Sequence, residues 1–447
     1  MTARTKALAK NMEFIGYSDL NRKSGFQMSM QKTEDGRYFI YAACFRNNGL
    51  NIIDVTDPTN PKATWMDGPW VSDARDGQSV PKVQVADGLM VASLGPATEI
   101  LHGCPPGNPF YSGFAIWDVK ADPEHPKLLS ITETPFGGHR SFYNGGKYAY
   151  IICGKEGYFG YVLRIYDISD PAHPVEVGSY VDEKQNLMNL PKPEEMELAG
   201  EEMLAMPMAH ACTVKDNICY LAYPNHGVQL LDVSDPTNIK ELGCLKLNPP
   251  FGGGAAGARV HTAMPLGDTP YMLVTTEGER ARFFANETEH GLFKKLITQP
   301  MNMIGIAEVT DPGNPSLISI FPYPEVPEGY THGENFNIVD GVRVPFGPHN
   351  MFDAFGVDCY EKFNNRVYNC HFNAGLRVYD VSDPFVPKEI AYFIPPDPQG
   401  ENWFDNERGN LVPGPKVAIA EDVLVDDRGY IYFDTFQDGL YIVRCTV

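Results

Sequence analysis

At 447 residues the chain is long enough for two or three ordinary domains, but an internal repeat overrides that prior. Hydrophobic residues make up 43% of it, enough for a sizeable core, while 42 glycines and 37 prolines spread along its whole length mark many short strands and turns, an all-β composition. A formal charge of -21 with no local stripe of Lys or Arg argues against nucleic acid as a partner, since its phosphates would be repelled.

No apolar run approaches the roughly 18 residues that a membrane span needs. The opening segment, MTARTKALAKNMEF, carries charge without the apolar stretch of a signal peptide, so the expected location is cytoplasmic. Nine cysteines, odd in number, widely spaced and never in a CxxC arrangement, indicate neither a disulfide framework nor a thiolate zinc site.

In chain order, a unit of the form Gly-Leu-x-Ile-x-Asp-Val-x-Asp-Pro recurs from Gly49 to Pro58, Gly113 to Val119, Val162 to Pro171, Gly227 to Pro236, Gly305 to Pro312 and Gly375 to Pro384, with a truncated copy from Gly439 to Arg444. Each is an apolar strand, then an Asp that bonds nearby backbone amides, then a Pro that cannot continue the ladder. A further short strand follows most copies and two precede each. Four strands in each of seven units describe a seven-bladed β-propeller, a single domain over residues 1–447. The last copy lacks its final strand, and the segment from Met12 to Tyr17 has the pattern of one. Its pairing with the C-terminal strand would complete the seventh blade, close the ring and remove an exposed sheet edge. These repeats resemble the LVIVD family of bacterial β-propeller proteins. The resemblance implies the fold and little about function, since propellers host many chemistries.

Setting the innermost strands of blades 3 to 6 in register places His139, His210, His261 and His349 at one repeat position, at the channel mouth. One such His is ordinarily a hydrogen-bonded wall residue, whereas four at one position point to a metal ion that needs several ligands. Blades 1, 2 and 7 offer Gln27 or Met28, Lys82 or Gln84, and Glu421 or Asp422 there instead. Neutral imidazoles suit Fe(II), Zn(II), Cu or Ni better than Ca or Mg, and Fe(II) is the favoured divalent transition metal, with Zn(II) as the alternative. In geometry alone the set is similar to the carotenoid cleavage oxygenases, propellers that hold Fe(II) through four histidines. A three-His site with the fourth as acid or base is also open.

Glu421, Asp422, Glu277 and Glu334 are candidates to orient the imidazoles. Glu308 is discounted because it replaces the structural Asp of the repeat. His226 and His371, at the turn before the third strand, are candidates for substrate contact or acid/base work, against a plain reading as polar turn residues. His125 and His173 follow Asp-Pro turns on the opposite face and are expected to be inert, while His102, His290 and His332 lie in long loops. Insertions at 95–112, 181–208, 277–303, 321–347 and 389–419 should gather above the histidines, and their apolar side chains suit a water-excluding lid or a subunit interface. Segment 189–208 has the pattern of a short amphipathic helix.

The expected function is metal-dependent catalysis on a small apolar or aromatic molecule, with non-haem Fe(II) oxidative chemistry first. His139, His210, His261 and His349 would bind the metal, and Glu277, Glu421, His226 and His371 would do the supporting chemistry. A redox-neutral hydrolase (lactonase or esterase) or hydro-lyase is the second reading. A non-catalytic binding scaffold is the third. Association into homo-oligomers stays open.

Overall fold

The computed structural model describes residues 5–44, 48–96, 107–189, 209–223, 227–247, 260–277, 302–336, 338–339, 342–354, 356–398, 417–436 and 438–447. Blade 1 is an antiparallel meander of Met28–Lys32, Tyr38–Ala43, Gly49–Asp54 and Lys62–Asp67. Blade 2 repeats the pattern with Gln78–Ala86, Leu89–Pro96, Gly113–Asp118 and Lys127–Glu133. Blade 4 comprises Ala211–Lys215, Ile218–Tyr223, Gly227–Asp232 and Lys240–Leu245, and blade 5 Thr262–Pro265, Tyr271–Thr275, Ile304–Glu308 and Ser316–Ile320. Blades 3 and 6 depart from the pattern at their inner edges. Residues 138–142 and Met351 hold those positions through isolated bridges, Gly138 with Cys153, Phe142 with Tyr150, and Met351 with Asn369.

The ring closes as the sequence predicts. Strand β2 (Met12–Ser18) lies on Gly439–Cys445, the third strand of blade 7, with Met12 opposite Cys445 and Ser18 opposite Leu440. The strand before it, β1 (Leu8–Lys10), was not expected. It adds to the outer edge of blade 6, Leu8 opposite Ile394, so one N-terminal segment joins two neighbouring blades.

The Asp-Pro signature acquires a second meaning in three dimensions. Its first Asp accepts the amide two residues on, as Asp54 does from Thr56 at 2.9 Å, and its second does the same, as Asp57 does from Thr59 at 3.0 Å. Glu308, standing in for the first Asp in blade 5, accepts the Thr310 hydroxyl at 2.9 Å instead. These bonds fix the turn so that the Pro carbonyl points at the preceding blade. Ser130 Oγ donates to Pro171 O and Ser319 Oγ to Pro384 O, each at 2.6 Å, and Tyr41 Oη donates to Pro123 O at 2.9 Å. At three other junctions glycine lets the backbones meet: a Cβ on Gly16, Gly178 or Gly243 would collide with the carbonyl oxygens of Pro58, Pro236 and Pro312. Most of these serines and glycines sit at a register shift in the outer strand, where a bulge turns the chain toward the neighbour.

Between blades the joints are apolar. Phe39, Tyr41, Leu50 and Ile52 of blade 1 share one buried cluster with Val83, Val85, Met90 and Ala92 of blade 2. One insertion lies on the face away from the histidines. Between the first two strands of blade 6 the chain does not turn tightly: described residues 352–354 and 356–363 lie across the far mouth of the channel. There Tyr360 Oη accepts from Met30 N at 2.7 Å, and the Glu361 amide donates to Val425 O at 3.0 Å.

Replacing Gly178 with valine pushes the outer strand of blade 3 off the Pro236 carbonyl and should cost about 1–3 kcal/mol of stability. Ser319→Ala, which removes one hydrogen bond, should cost about 1 kcal/mol. Denaturant titration checks both, and a Gly178→Val protein as stable as its parent would mean that this joint does not hold the ring.

Candidate metal centre on the propeller axis

The register inferred for the histidines is the observed one. Each of the four backbone amides donates to the second strand of its own blade at the same ladder position: His139 to Ile152 O at 2.8 Å, His210 to Ala222 O at 2.9 Å, His261 to Thr275 O at 2.7 Å and His349 to Cys370 O at 2.8 Å. Their rings form an arc rather than a circle, because the four blades are consecutive. Successive ring centroids are 4.8, 4.5 and 4.9 Å apart from His139 through to His349.

Three of these rings are oriented through Nδ1. His210 Nδ1 is 2.9 Å from the His261 carbonyl, which makes it the protonated nitrogen, and His261 Nδ1 is 2.8 Å from Thr262 Oγ1. His349 Nδ1 lies 2.8 Å from the Glu421 carbonyl and 3.0 Å from Glu421 Oε2, both side chains fully buried. Nε2 is then the outward nitrogen of His210 and His349. A carboxylate or carbonyl on one imidazole nitrogen, with the other turned to a shared space, is the usual environment of a metal-ligating His. His139 Nε2 meets His210 Nε2 at 3.1 Å, and its ring stacks at 8° on Tyr161. His349 stacks on Phe372, centroids 4.7 Å apart, and its Nε2 is 3.1 Å from Nη2 of Arg140.

Glu277 stands among the donor atoms themselves. Donor atoms of His210, His261 and Glu277, all buried, lie within 4.8 Å of one another, which fits a two-imidazole, one-carboxylate metal site with open positions. Burial, and next the Arg140 charge, push His210 down to about 3, so its ring stays neutral and able to act as a ligand across the physiological range. Glu421 supports His349.

Other predicted residues fall elsewhere. His371 is buried against Tyr379 and Phe346, with Tyr379 Oη 3.3 Å from its Nε2, and burial followed by the Arg377 charge holds it well below the usual imidazole range. Glu334 is exposed, as a loop charge would be. His332 forms a buried 2.7 Å pair with Asp397. His125 and His173 are exposed on Asp-Pro turns, each against the Asp three residues before it. His226, His102, His290, segment 190–208 and most of the apolar lid residues, Trp403 and Phe404 among them, lie outside the described residues. Of those within, Phe321 packs on Tyr379 at 4.9 Å and Tyr323 on Phe346 at 5.4 Å.

Sequence reasoning passed over Arg140 and Asn350. Each directly follows a channel histidine, so the position one further along the repeat was the signal. Arg140, 2% exposed, crosses from blade 3 to blade 6, where Nη1 donates to Asn350 Oδ1 at 2.6 Å. Asp422 accepts the Met28 amide at 2.7 Å, and burial pushes its acid up to about 7.

The LVIVD repeat model matches residues 38–64, 145–182 and 208–245, in blades 1, 3 and 4. This seven-bladed propeller carries LVIVD repeats. No curated protein matches the chain. Among solved structures, the β-propeller domain of Myceliophteria thermophila Cps50 (Swd1) is 9% identical with a TM-score of 0.52, covering 99% of this chain and 100% of that one. A functionally unknown protein from Desulfotomaculum acetoxidans is 14% identical over 82% of this chain and 84% of its own, TM-score 0.49. A streptogramin B lyase is 11% identical over 98% of this chain and 97% of its own, TM-score 0.47. At such identities the likeness to this propeller is one of fold alone.

Asp422 yields a pH test. Its folded acid is raised above the ordinary value of 3.8, so its contribution to stability is complete below about 3.8 and is lost as pH rises through about 7. Asp422→Asn should therefore gain stability relative to the parent between pH 4 and pH 8. A difference between the two proteins that does not change with pH, by thermal denaturation, would contradict the raised acid.

Proposed function

We propose that this protein is a metal-dependent enzyme whose centre lies on the propeller axis and is held by His210, His261 and Glu277, with His139 and His349 beside them. The observation that carries this reading is the buried His-His-Glu donor group within 4.8 Å, with His210 Nδ1 set on the His261 carbonyl and His261 Nδ1 beside Thr262 Oγ1. Two imidazoles and one carboxylate with open positions are the donor set of non-haem Fe(II) oxygenases, which keeps oxidative chemistry on a small organic molecule in first place. The metal would supply a Lewis-acidic, redox-active point. Glu277 would offset part of its charge, Glu421 would hold His349 in the tautomer with Nε2 inward, and the arc of rings would keep water from one side. The absence of disulfides among the eight described cysteines supports a cytoplasmic setting.

The same donor set also serves zinc hydrolases, and this favours a second reading, metal-assisted hydrolysis or elimination, over a scaffold without chemistry. Elemental analysis of untagged protein decides first. Near-stoichiometric iron supports oxidation and zinc the second reading. His210→Ala, His261→Ala or Glu277→Ala should each abolish metal binding, and Glu421→Gln should weaken it by about 10–100-fold. A protein without bound metal that fails to take up Fe(II) or Zn(II) in equilibrium dialysis would end both.

A further inference from the structure

Beside the donor group the channel holds a cavity bounded by the inner strands and, at its far end, by the connection 352–363. Phe142, Met264 and Met351 form apolar stretches of the wall, and two cations, Arg140 and Lys82, share it.

The polar part of this wall is built to receive an acceptor. Arg140 is buried, with Asn350 Oδ1 and His349 Nε2 among its partners and its guanidinium 5.5 Å from the Phe26 ring centre. Asn350 is 3% exposed, lines the cavity, and its Nδ2 has no hydrogen-bond partner among the described residues. A buried amide N–H is costly to leave unsatisfied. One kept next to a buried guanidinium implies a guest that carries oxygen acceptors.

We infer that this cavity binds the carboxylate of a small organic acid, received by the Arg140 guanidinium, Asn350 Nδ2 and the Lys82 ammonium, with the body of the acid against Phe142, Met264 and Met351. A carboxylate matches the guanidinium fork with two oxygens in one plane. Asp353 and Asp422 line the same wall beside the two cations. Burial, and next Arg140, lower the Lys82 ammonium, an effect that a bound anion would reverse. A second cavity on the far face shares Asn144, Met264, Asp353, Ala354, Val357 and Tyr360 with this one, which gives the acid an approach from the side opposite the insertions at the histidine mouth. The inference deepens the metal-enzyme reading by giving its substrate a class, while the anion site stands on residues that are not metal donors.

The test is calorimetric titration of the full-length protein with benzoate and with benzamide, its uncharged isostere, before and after chelation of metal. Benzoate should bind more tightly by about tenfold or more, and Arg140→Gln and Lys82→Met should each reduce that preference by about tenfold. Circular dichroism verifies folding, and Lys82→Met carries the test if Arg140→Gln does not fold. Equal binding of the two probes, or a preference untouched in the folded variants, overturns the inference, as does tighter binding of inorganic phosphate than of benzoate. A benzoate preference in a protein that never takes up metal would support the acid site while ending the metal reading. Metal binding without a preference for benzoate would do the reverse.

Discussion

The contact between a proline carbonyl in one blade and the blade before it sets the geometry on which everything at the axis depends. A propeller blade buries most of its apolar surface against its neighbours, so the angle between blades must come out nearly the same at each junction or the ring will not close. Six described junctions achieve this with one device in two forms, a hydroxyl donated to the carbonyl or a glycine that lets it approach. Where the ring has its chain ends, the N-terminal segment supplies both the last strand of blade 7 and an extra strand on blade 6. Equal spacing then brings equivalent residues of successive blades to the same height along the channel.

That common height concentrates charge where water is scarce. Histidines, Glu277, Glu421, Arg140, Lys82 and two aspartates surround one narrow space, and burial acts against the charged form of each. The responses differ by residue. His210 is held neutral, Asp422 is shifted toward its protonated form, and Arg140, which cannot release its proton, is fixed by Asn350 and His349. The imidazoles beside Glu277 and the cation that flanks them are the groups on which both proposed binding events rest.

Much of this was legible before any coordinates. Alternating apolar strands ending in Asp-Pro revealed the blades, and Met12–Ser18 showed itself as a strand without a sheet. The four histidines were found because their blades repeat, and their amides do occupy one ladder position. Less visible were β1, too short to stand out from the charged residues around it, and the connection 352–363, whose length resembles any other insertion although it lies across the opposite mouth. Arg140 and Asn350 were hidden because they differ from blade to blade at a position where repeat reading looks for sameness.

By itself the sequence determined the number of blades, the closing strand, the turn chemistry and the height at which the histidines enter the channel. All of these follow from local pattern and from repetition, which survive without knowledge of distances. Only the tertiary structure decided which donor atoms meet, that Glu277 joins His210 and His261, that Arg140 reaches His349, and that Asn350 turns an amide into the cavity. Those outcomes depend on the angle between blades and on the rotamer each side chain takes across an axis shared by residues hundreds of positions apart, and no local pattern encodes either.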